Sequence, residues 1–507
     1  MVQHSGNKRI IKNTIYLYIR MLFYMIVTLY TSRVILMVLG TDDYGTYNIV
    51  GGIVMMFNFL NQAMVSSSQR FISYEQGKGD ETSQTKVFST SVVIHLIIAL
   101  VILLLSETIG IWWLNNKLVV APDRLYAAKW VFQSSILAFI CTITTVPYVS
   151  SVIAHEKMGF YAIVTIMDAT MKLIIAFIIP YFSYDKLILY AILTTCISFL
   201  NFIVYRIYCK RLFSECHFFL HKDYNYYNKM LSFAGWSFVG NFGVSAKDYG
   251  VNIVVNLFSG PAVNAARGIA YQVTMAINGF VSNFQTAMRP QITKRYAAGE
   301  IDSMMTLVKN GSRYSFYLLS FIAVPLLIRA DYVLHLWLSN VPEFTLAFLQ
   351  LALLMGVINS MYGPFMTAIQ ATGNIKIFQI CIALIMCLDL PIAYYILSKG
   401  APPYSVMYVA IATSILALFA RLYLLYREVK FNLVEFVITV VFKNVCLFIA
   451  FLVLPFYASR YIAQNFIGLC VIIVISTLWT GSFIYFVGLS KAERLKIINN
   501  IKSKLCK

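Results

Sequence analysis

Six basic residues lie inside stretches of the sequence that are otherwise apolar. They are Arg20, Arg33, Lys172, Lys247, Arg267 and Arg421. A charge in the hydrocarbon core of a membrane is unfavourable unless it faces a partner or a water-filled cavity. A guanidinium can also hold a phosphate through two parallel hydrogen bonds. These residues are therefore the first candidates for binding an anionic substrate.

Polar residues form stripes in the same part of the sequence. The stripe on the seventh predicted helix, 230–258, consists of Ser237, Asn241, Ser245, Asp248, Asn252 and Asn256. The stripe on the eighth predicted helix, 261–288, consists of Asn264, Arg267, Tyr271, Thr274, Asn278, Ser282 and Gln285. A shorter stripe on the second consists of Asn58, Gln62, Ser66 and Gln69. Spacings of three and four place side chains on one helix face. Interhelical hydrogen bonding explains single polar residues, but three whole stripes favour a water-filled cleft.

Arg267 belongs to the eighth-helix stripe, so we expect it to point into this cleft and to bind phosphate. Lys247 and Arg33 come next, although Asp248 could neutralise Lys247, and Arg33 could reach the outer headgroups. Arg20 could serve the cavity or the interface. The predicted substrate-binding residues are Arg267, Lys247, Arg33, Arg20, Asn278, Asn58, Asn252 and Asp248.

Three other polar residues have simpler interpretations. Lys172 follows Asp168 by one helical turn, which predicts an ion pair. His95 and Asp389 are interpreted as isolated polar groups with structural roles. The nine cysteines are scattered singly and form no CxxC pair, so we predict no metal site, no cofactor and no catalytic residues.

The elements that carry these residues are membrane helices. Of 507 residues, 60% are hydrophobic and only 12% are charged, which excludes ordinary soluble domains. Runs of about 20 apolar residues are long enough to cross the bilayer. The predicted helices are 12–38, 44–66, 87–112, 126–150, 159–182, 185–208, 230–258, 261–288, 304–328, 343–370, 375–398, 403–426, 434–458 and 463–488. The sequence therefore predicts an all-α polytopic membrane protein with about fourteen transmembrane helices.

The formal net charge of +19 could indicate a nucleic-acid partner. On the predicted map, however, roughly 27 of the Lys and Arg residues lie on one side of the membrane and roughly 7 on the other, as the positive-inside rule describes. We therefore predict a multi-pass inner-membrane protein with both termini in the cytoplasm. Its basic residues contact membrane lipids, and no nucleic acid is expected.

An internal repeat relates the first six helices to the next six. At an offset of 220, Gly40 aligns with Gly260, Asn58 with Asn278 and Gly79 with Gly299. At an offset of 217, Pro147-Tyr148 aligns with Pro364-Phe365 and Ala154 with Ala371. Six is even, so the copies are parallel and related by an axis along the membrane normal.

The repeat sets the predicted domain boundaries. The N-lobe spans 1–210 with helices 1–6, and a cytoplasmic linker spans 211–229. The C-lobe spans 230–430 with helices 7–12, and residues 431–507 hold helices 13 and 14 and a basic cytoplasmic tail. A substrate site is expected between the lobes, with alternating access by rocking.

Several motifs carry a family resemblance. They are N-K-R-I-x-K-N-T at Asn7–Thr14, S-R-V-I-L-x-x-L-G-x-x-D-Y-G-x-Y-N at Ser32–Asn48, Q-R-F at Gln69–Phe71, V-P-Y at Val146–Tyr148 and A-H-E-K-M at Ala154–Met158. Together they resemble the polysaccharide-biosynthesis flippases of Bacteroidetes-type bacteria. These flippases belong to a superfamily that also contains O-antigen flippases, lipid II flippases and multidrug and toxin extruders.

The resemblance implies transport of an undecaprenyl-pyrophosphate-linked oligosaccharide to the periplasmic leaflet without nucleotide hydrolysis. In the lipid II branch, arginines of the first and eighth helices line the cavity, and Arg33 and Arg267 lie in comparable stretches. A polysaccharide polymerase or glycosyltransferases are candidate partners, and a monomer is expected.

Two other functions remain open at this point. An ion-coupled drug or metabolite antiporter of the same superfamily would need Asp168 or Asp248 to bind its coupling cation. Such extruders often carry an acidic group on the first helix, whereas residues 10–40 contain none. A membrane glycosyltransferase or polymerase would need acidic or basic catalytic groups in sizeable aqueous loops, and the longest predicted loops, near 66–87 and 208–230, are short.

Overall fold

The computed structural model describes residues 2–55, 58–116, 122–338, 341–491 and 493–495. These residues are nearly all helical, and no strand occurs among them. In lipid, a helix satisfies its backbone hydrogen bonds within its own segment, so this composition suits a chain built from apolar runs. The predicted all-α membrane fold is confirmed.

The first six helices begin with a long helix, Val2–Met55, that is interrupted at Gly40. Residues 2–39 form α1, while residues 41–55 together with Asn58–Lys78 form α2. The next helices are α3 (Glu81–Asn116), α4 (Leu125–Ala154), α5 (Met158–Tyr181) and α6 (Lys186–Leu212).

The following helices begin in the same way, because the helix Tyr224–Ala297 is interrupted at Gly260. Residues 224–259 form α7 and residues 261–297 form α8. After α9 (Ile301–Ile328) and a short helix at Ala330–Trp337, the bent α10 consists of Thr345–Ser360 and Gly363–Thr372. The last helices are α11 (Lys376–Ser398), α12 (Ser405–Val429), α13 (Leu433–Ser459) and α14 (Phe466–Gly488).

Apolar length separates these helices into two groups. Within the described residues, ten are long and apolar enough to cross a membrane, and the bent α10 makes eleven if its halves form one span. The others among the fourteen are α2, α7 and α8, the helices with the polar stripes. Their polar faces must be shielded from lipid by protein or by a wet cavity.

The interruptions confirm the internal repeat at its glycines. Gly40 has φ 80° and ψ 173°, and Gly260 has φ 79° and ψ 177°. This backbone region is essentially accessible only to glycine. The turns after α2 and α8 also match, since Gly79 and Gly299 have φ 76° and 77°. Both pairs have the predicted offset of 220.

The second offset is also visible in the backbone. The turn after α4 places Glu156 at φ 59°, and the turn after α10 places Gly373 at φ 83°. These residues are 217 positions apart, like the aligned prolines Pro147 and Pro364. The turn that follows the fourth helix of each half therefore has the same left-handed residue.

The prediction of a loop at 66–87 is wrong. Instead, α2 continues to Lys78 and α3 begins at Glu81. Hydropathy falls here because the chain carries polar residues, but several of them, including Ser67 and Ser68, are buried inside the protein and hydrogen-bonded. Ser67 donates to the Met230 carbonyl at 3.1 Å, and the Ser68 and Ser91 hydroxyls lie 2.7 Å apart.

The chain divides into two compact units. The first contains residues 1–241, 286–300 and 370–376, and the second contains residues 242–285, 301–369 and 377–507. In the first unit, α4 packs against α1, α2, α3 and α6, and α5 packs against α1. In the second, α9 packs against α10, α13 and α14, and α12 packs against α10 and α11. The predicted lobe boundaries stay a prediction.

An arginine bridge fixes one end of the first unit. Arg124, just before α4, forms ion pairs with both Asp43 and Asp185. Asp185 also accepts from the Leu187 and Ile188 amides at the start of α6. The bridge therefore ties the start of α2, which follows the Gly40 interruption, to the beginnings of α4 and α6.

We expect Gly260→Ala to destabilise the protein by about 1–3 kcal/mol, because alanine is strained in this backbone region. Gly268→Ala is a matched control, since Gly268 lies within α8 with nothing within 4 Å of an added Cβ. That control should be neutral or stabilising by less than about 1 kcal/mol. Thermal unfolding in detergent measures both, and equal effects would contradict the role of Gly260.

Candidate substrate-binding site

Arg267 lies at the centre of a polar cluster in the second unit. Its side chain is only 3% exposed. It donates to the Asn252 side-chain oxygen, to the Asp248 carbonyl at 3.4 Å and to the Tyr271 hydroxyl at 3.1 Å. Its guanidinium also lies 4.6 Å from the centre of the Tyr271 ring. The spacing of four on α7 and on α8 brings these groups together, as the stripes predicted.

The charge of Arg267 is not neutralised by a salt bridge. Among the described residues, no carboxylate oxygen lies within 4.0 Å of its guanidinium nitrogens, and its buried Nε has no hydrogen-bond partner. The cluster thus solvates the cation with neutral oxygens and an aromatic face. An anionic group entering here would meet a positive charge that no salt bridge holds and an Nε–H donor without a partner.

Lys247 has a different partner from the one considered in the sequence. Its ammonium lies 3.3 Å from an Asp389 oxygen and 3.9 Å from the Met386 sulfur. Asp389 is 1% exposed and also accepts from the Thr413 hydroxyl. Lys247 therefore forms its ion pair with Asp389 and not with Asp248. Successive residues of a helix point about 100° apart, so Lys247 and Asp248 face different directions.

The interpretation of Asp389 as an isolated polar group was wrong. The residue begins the second half of α11, Asp389–Ser398, after a break at Leu388. Pro391 provides no N–H to the preceding turn, so it weakens the helix at this point. A carboxylate at the start of a helix is stabilised by the unpaired amides there, and Lys247 supplies the countercharge.

The remaining predicted residues are placed as follows. Asn278 is half-buried, and its Oδ1 lies 3.5 Å from the position of an added Cβ on Gly356 in α10. Arg20 and Arg33 belong to the first unit. The Arg20 guanidinium lies 4.7 Å from the Tyr161 ring centre, and Arg33 is exposed. The side chain of Asn58 lies outside the described residues.

The predicted ion pair on α5 is confirmed. Lys172 donates to Asp168 at 2.8 Å. Asn201 of α6 donates to the other Asp168 oxygen, also at 2.8 Å. Asp168 therefore serves a local charge pair and an interhelical hydrogen bond.

A second buried arginine of this kind is Arg421, which the sequence analysis identified as an intramembrane charge but did not include in the predicted site. Arg421 of α12 is 5% exposed and stacks 4.0 Å from the centre of the Tyr362 ring at the bend of α10. Its Nε and one terminal nitrogen have no partner in the described part of the chain. Its position in an apolar helix was a signal, but it belongs to no polar stripe.

Comparison with known proteins supplies the family. A model of the polysaccharide biosynthesis protein family matches residues 10–295, more than half of the chain. The chain belongs to this family. No curated protein matches this polysaccharide biosynthesis protein significantly.

Solved structures show that the polysaccharide biosynthesis protein has the fold of the MATE and MOP transporters. A MATE structure in the bent conformation has a TM-score of 0.74 at 12% identity, covering 84% of this chain and 96% of its own. A multidrug resistance MATE family transporter of the MOP superfamily, in an outward-facing conformation, has a TM-score of 0.72 at 12% identity, with coverages of 84% and 96%. A MOP superfamily transporter from Pyrococcus furiosus has a TM-score of 0.69 at 12% identity, with coverages of 83% and 96%.

The Pyrococcus furiosus transporter is described as having a binding pocket of reverse polarity, which suggests a different function for that protein. At these identities the likeness establishes the fold alone. Together, the family match and the fold establish a multi-pass membrane protein of the polysaccharide biosynthesis family that has a transporter fold.

We expect Lys247→Met in this polysaccharide biosynthesis protein to lower the free energy of unfolding by roughly 3–5 kcal/mol, because it leaves Asp389 buried and unpaired. Lys247→Met with Asp389→Leu should recover most of that loss. Thermal unfolding in detergent compares the two variants.

The matched control is Lys309→Met, which breaks a more exposed pair with Glu435 at 2.8 Å and should have little effect. A double variant as unstable as the single one would show that more than the unpaired charge is involved.

Proposed function

We propose that this protein is a flippase for undecaprenyl-pyrophosphate-linked oligosaccharide. It moves a repeat unit of O-antigen, capsule or exopolysaccharide from the cytoplasmic to the periplasmic leaflet of the bacterial inner membrane by alternating access. The family is one of polysaccharide biosynthesis, and the fold is that of a transporter. A transporter fold in a polysaccharide biosynthesis family supports export of the polysaccharide precursor as the function.

The single observation that carries the substrate class is the buried charge of Arg267, which forms no salt bridge among the described residues. A charge inside membrane helices is energetically costly, so the few that occur usually mark a substrate or ion pathway. A pyrophosphate presents several oxygens in a geometry that a guanidinium matches through paired hydrogen bonds. It would neutralise Arg267 and engage the free Nε.

The surroundings of Arg267 suit the rest of such a substrate. Asn252, Tyr271 and Asn278 offer neutral donors and acceptors, which can hydrogen-bond to sugar hydroxyls without adding charge. The prenyl chain needs no protein cavity, because the lipid hydrocarbon is itself apolar. The proposed division is pyrophosphate on the arginine, sugars on the polar stripes and the tail in lipid.

The antiporter alternative requires a carboxylate that is free to bind a coupling cation. Asp168 is occupied by Lys172 and Asn201, so it is a poor candidate. Asp248 is half-buried beside the Arg267 cluster. A cation bound at Asp248 would lie near a positive guanidinium, which disfavours it electrostatically.

The test is depletion of the protein in its native cells, followed by rescue with variants. We expect undecaprenyl-pyrophosphate oligosaccharide to accumulate on the cytoplasmic leaflet upon depletion, and wild type to clear it. Arg267→Ala should reach the membrane in normal amounts but fail to restore surface glycan. Partial rescue is expected from Arg267→Lys, which keeps the charge but loses the paired donors.

Arg460→Ala is the matched control, because this arginine is exposed in the turn between α13 and α14 and stacks on Phe456. It should rescue fully. Export restored by Arg267→Ala would remove the proposed anion site. No accumulation upon depletion, with drug efflux that requires a sodium or proton gradient, would favour the antiporter.

A further inference from the structure

Helices α2 and α8 touch closely at their C-terminal ends, within the first unit. A Cβ added to Gly77 would lie 2.5 Å from the Lys294 carbonyl oxygen and 2.6 Å from the Ala297 Cβ. No larger residue fits at Gly77 unless the helices move apart. Beside this contact, the rings of Tyr74 and Tyr296 lie 6.4 Å apart.

The repeat gives this contact a special position. Gly77 and Ala297 are separated by the same 220 residues that relate Gly40 to Gly260 and Gly79 to Gly299. Two equivalent positions of a two-fold repeat can touch each other only at the symmetry axis. In a transporter with parallel repeats, the substrate pathway runs along that axis. The α2–α8 contact therefore lies on the expected pathway.

Arg70 of the Q-R-F motif forms a first clasp beside the contact. Its Nε donates to the Gln370 carbonyl at 3.1 Å and its Nη2 to the Ala371 carbonyl at 2.8 Å, at the end of α10. A Cβ added to Gly373 would lie 2.7 Å from the Arg70 Nη2. The aromatic rings of Phe71, Tyr74 and Phe233 surround the guanidinium.

Glu156 of the A-H-E-K-M motif forms the second clasp. Its Oε1 accepts from the Gln291 side chain at 2.8 Å and from the Lys294 ammonium at 3.2 Å, near the end of α8. Its neighbour His155 is held by Glu215 and stacks on Phe213 at 4.0 Å. The second helix of each repeat half thus holds the turn after the fourth helix of the other half.

We propose that the Arg70 clasp, the Glu156 clasp and the Gly77 contact form a latch that closes the pathway at the face predicted to be cytoplasmic. The latch opens when substrate enters from that face and closes before release on the other. This proposal rests on transport by alternating access, but it does not depend on the identity of the substrate.

Chain connectivity lets the latch act on both units. Residues 286–300 and 370–376 pack in the first unit, yet the chain on both sides of each segment belongs to the second unit. Releasing both clasps frees the two segments together. A change at one clasp is therefore expected to alter the other. If each clasp had only a local structural role, a change at one would leave the other unaltered.

The experiment uses native side chains in protein reconstituted into liposomes of bacterial lipid. A zero-length carbodiimide couples Glu156 to Lys294 when the second clasp is closed, and mass spectrometry quantifies the linked peptides. The exposed Lys309–Glu435 pair, at 2.8 Å, provides the internal reference. Gly373→Ala directly contacts only the first clasp, since its Cβ displaces Arg70.

Gly400→Ala is the matched control, because Gly400 also has a left-handed φ of +81° but nothing within 4 Å of an added Cβ. We expect Gly373→Ala to reduce the Glu156–Lys294 link several-fold relative to the reference, and Gly400→Ala to leave it unchanged. An unchanged link in both variants, or an equal loss in both, overturns the latch.

A second variant covers the case in which Gly373→Ala does not fold. Arg70→Lys keeps the charge but cannot donate to both carbonyls from one planar group, so it should also reduce the Glu156–Lys294 link. An unchanged link in folded Arg70→Lys overturns the coupling between the clasps. Neither measurement needs a lipid-linked sugar, so loss of the flippase proposal would leave this result intact.

Discussion

A charge inside an apolar helix bundle must find a countercharge or polar solvation within the protein, and this constraint governs the polar residues described above. Lys172 meets it locally, with a carboxylate one turn away. Lys247 meets it across helices, through Asp389 of α11. Arg267 forms no salt bridge among the described residues and donates to neutral oxygens beside a tyrosine ring. Because the first two charges are already paired, Arg267 and Arg421 are left as the buried cations that can attract an anion.

Periodicity along the sequence identified one part of this site and missed another. Asp248, Asn252 and Arg267 could be predicted together, because spacings of four place residues on one face of consecutive helices. The partnership of Lys247 with Asp389 could not, since periodicity within a helix does not say which distant helix it faces. The extended end of α2 was missed for a related reason. Hydropathy predicts the end of a helix where polar residues begin, although tertiary contacts bury some of those residues, such as Ser67 and Ser68.

The glycines were the most reliable signal of the repeat. Aliphatic identities between two membrane helices arise easily by chance, because few residue types suit lipid. A backbone near φ 80° and ψ 175° is a stronger constraint, since a side chain at that position is strained. Gly40 and Gly260 share this conformation, so their alignment reflects geometry as well as composition. The same reasoning applies to Gly79 and Gly299, which end the second helix of each half.

The turns after α4 and α10 have a left-handed residue at the same place in the repeat, but that residue is Glu156 in one half and Gly373 in the other. Each residue suits the clasp that it forms. At Gly373 the acceptors for Arg70 are backbone carbonyls, and the guanidinium occupies the place where a Cβ would lie. Glycine is therefore required there. At Glu156 the donors are Gln291 and Lys294, which reach a side-chain carboxylate. Glycine would remove that carboxylate, so the chain keeps a glutamate despite a left-handed strain of roughly 1–2 kcal/mol. Each turn thus carries the residue that its own clasp needs, and a purely structural turn would favour glycine in both.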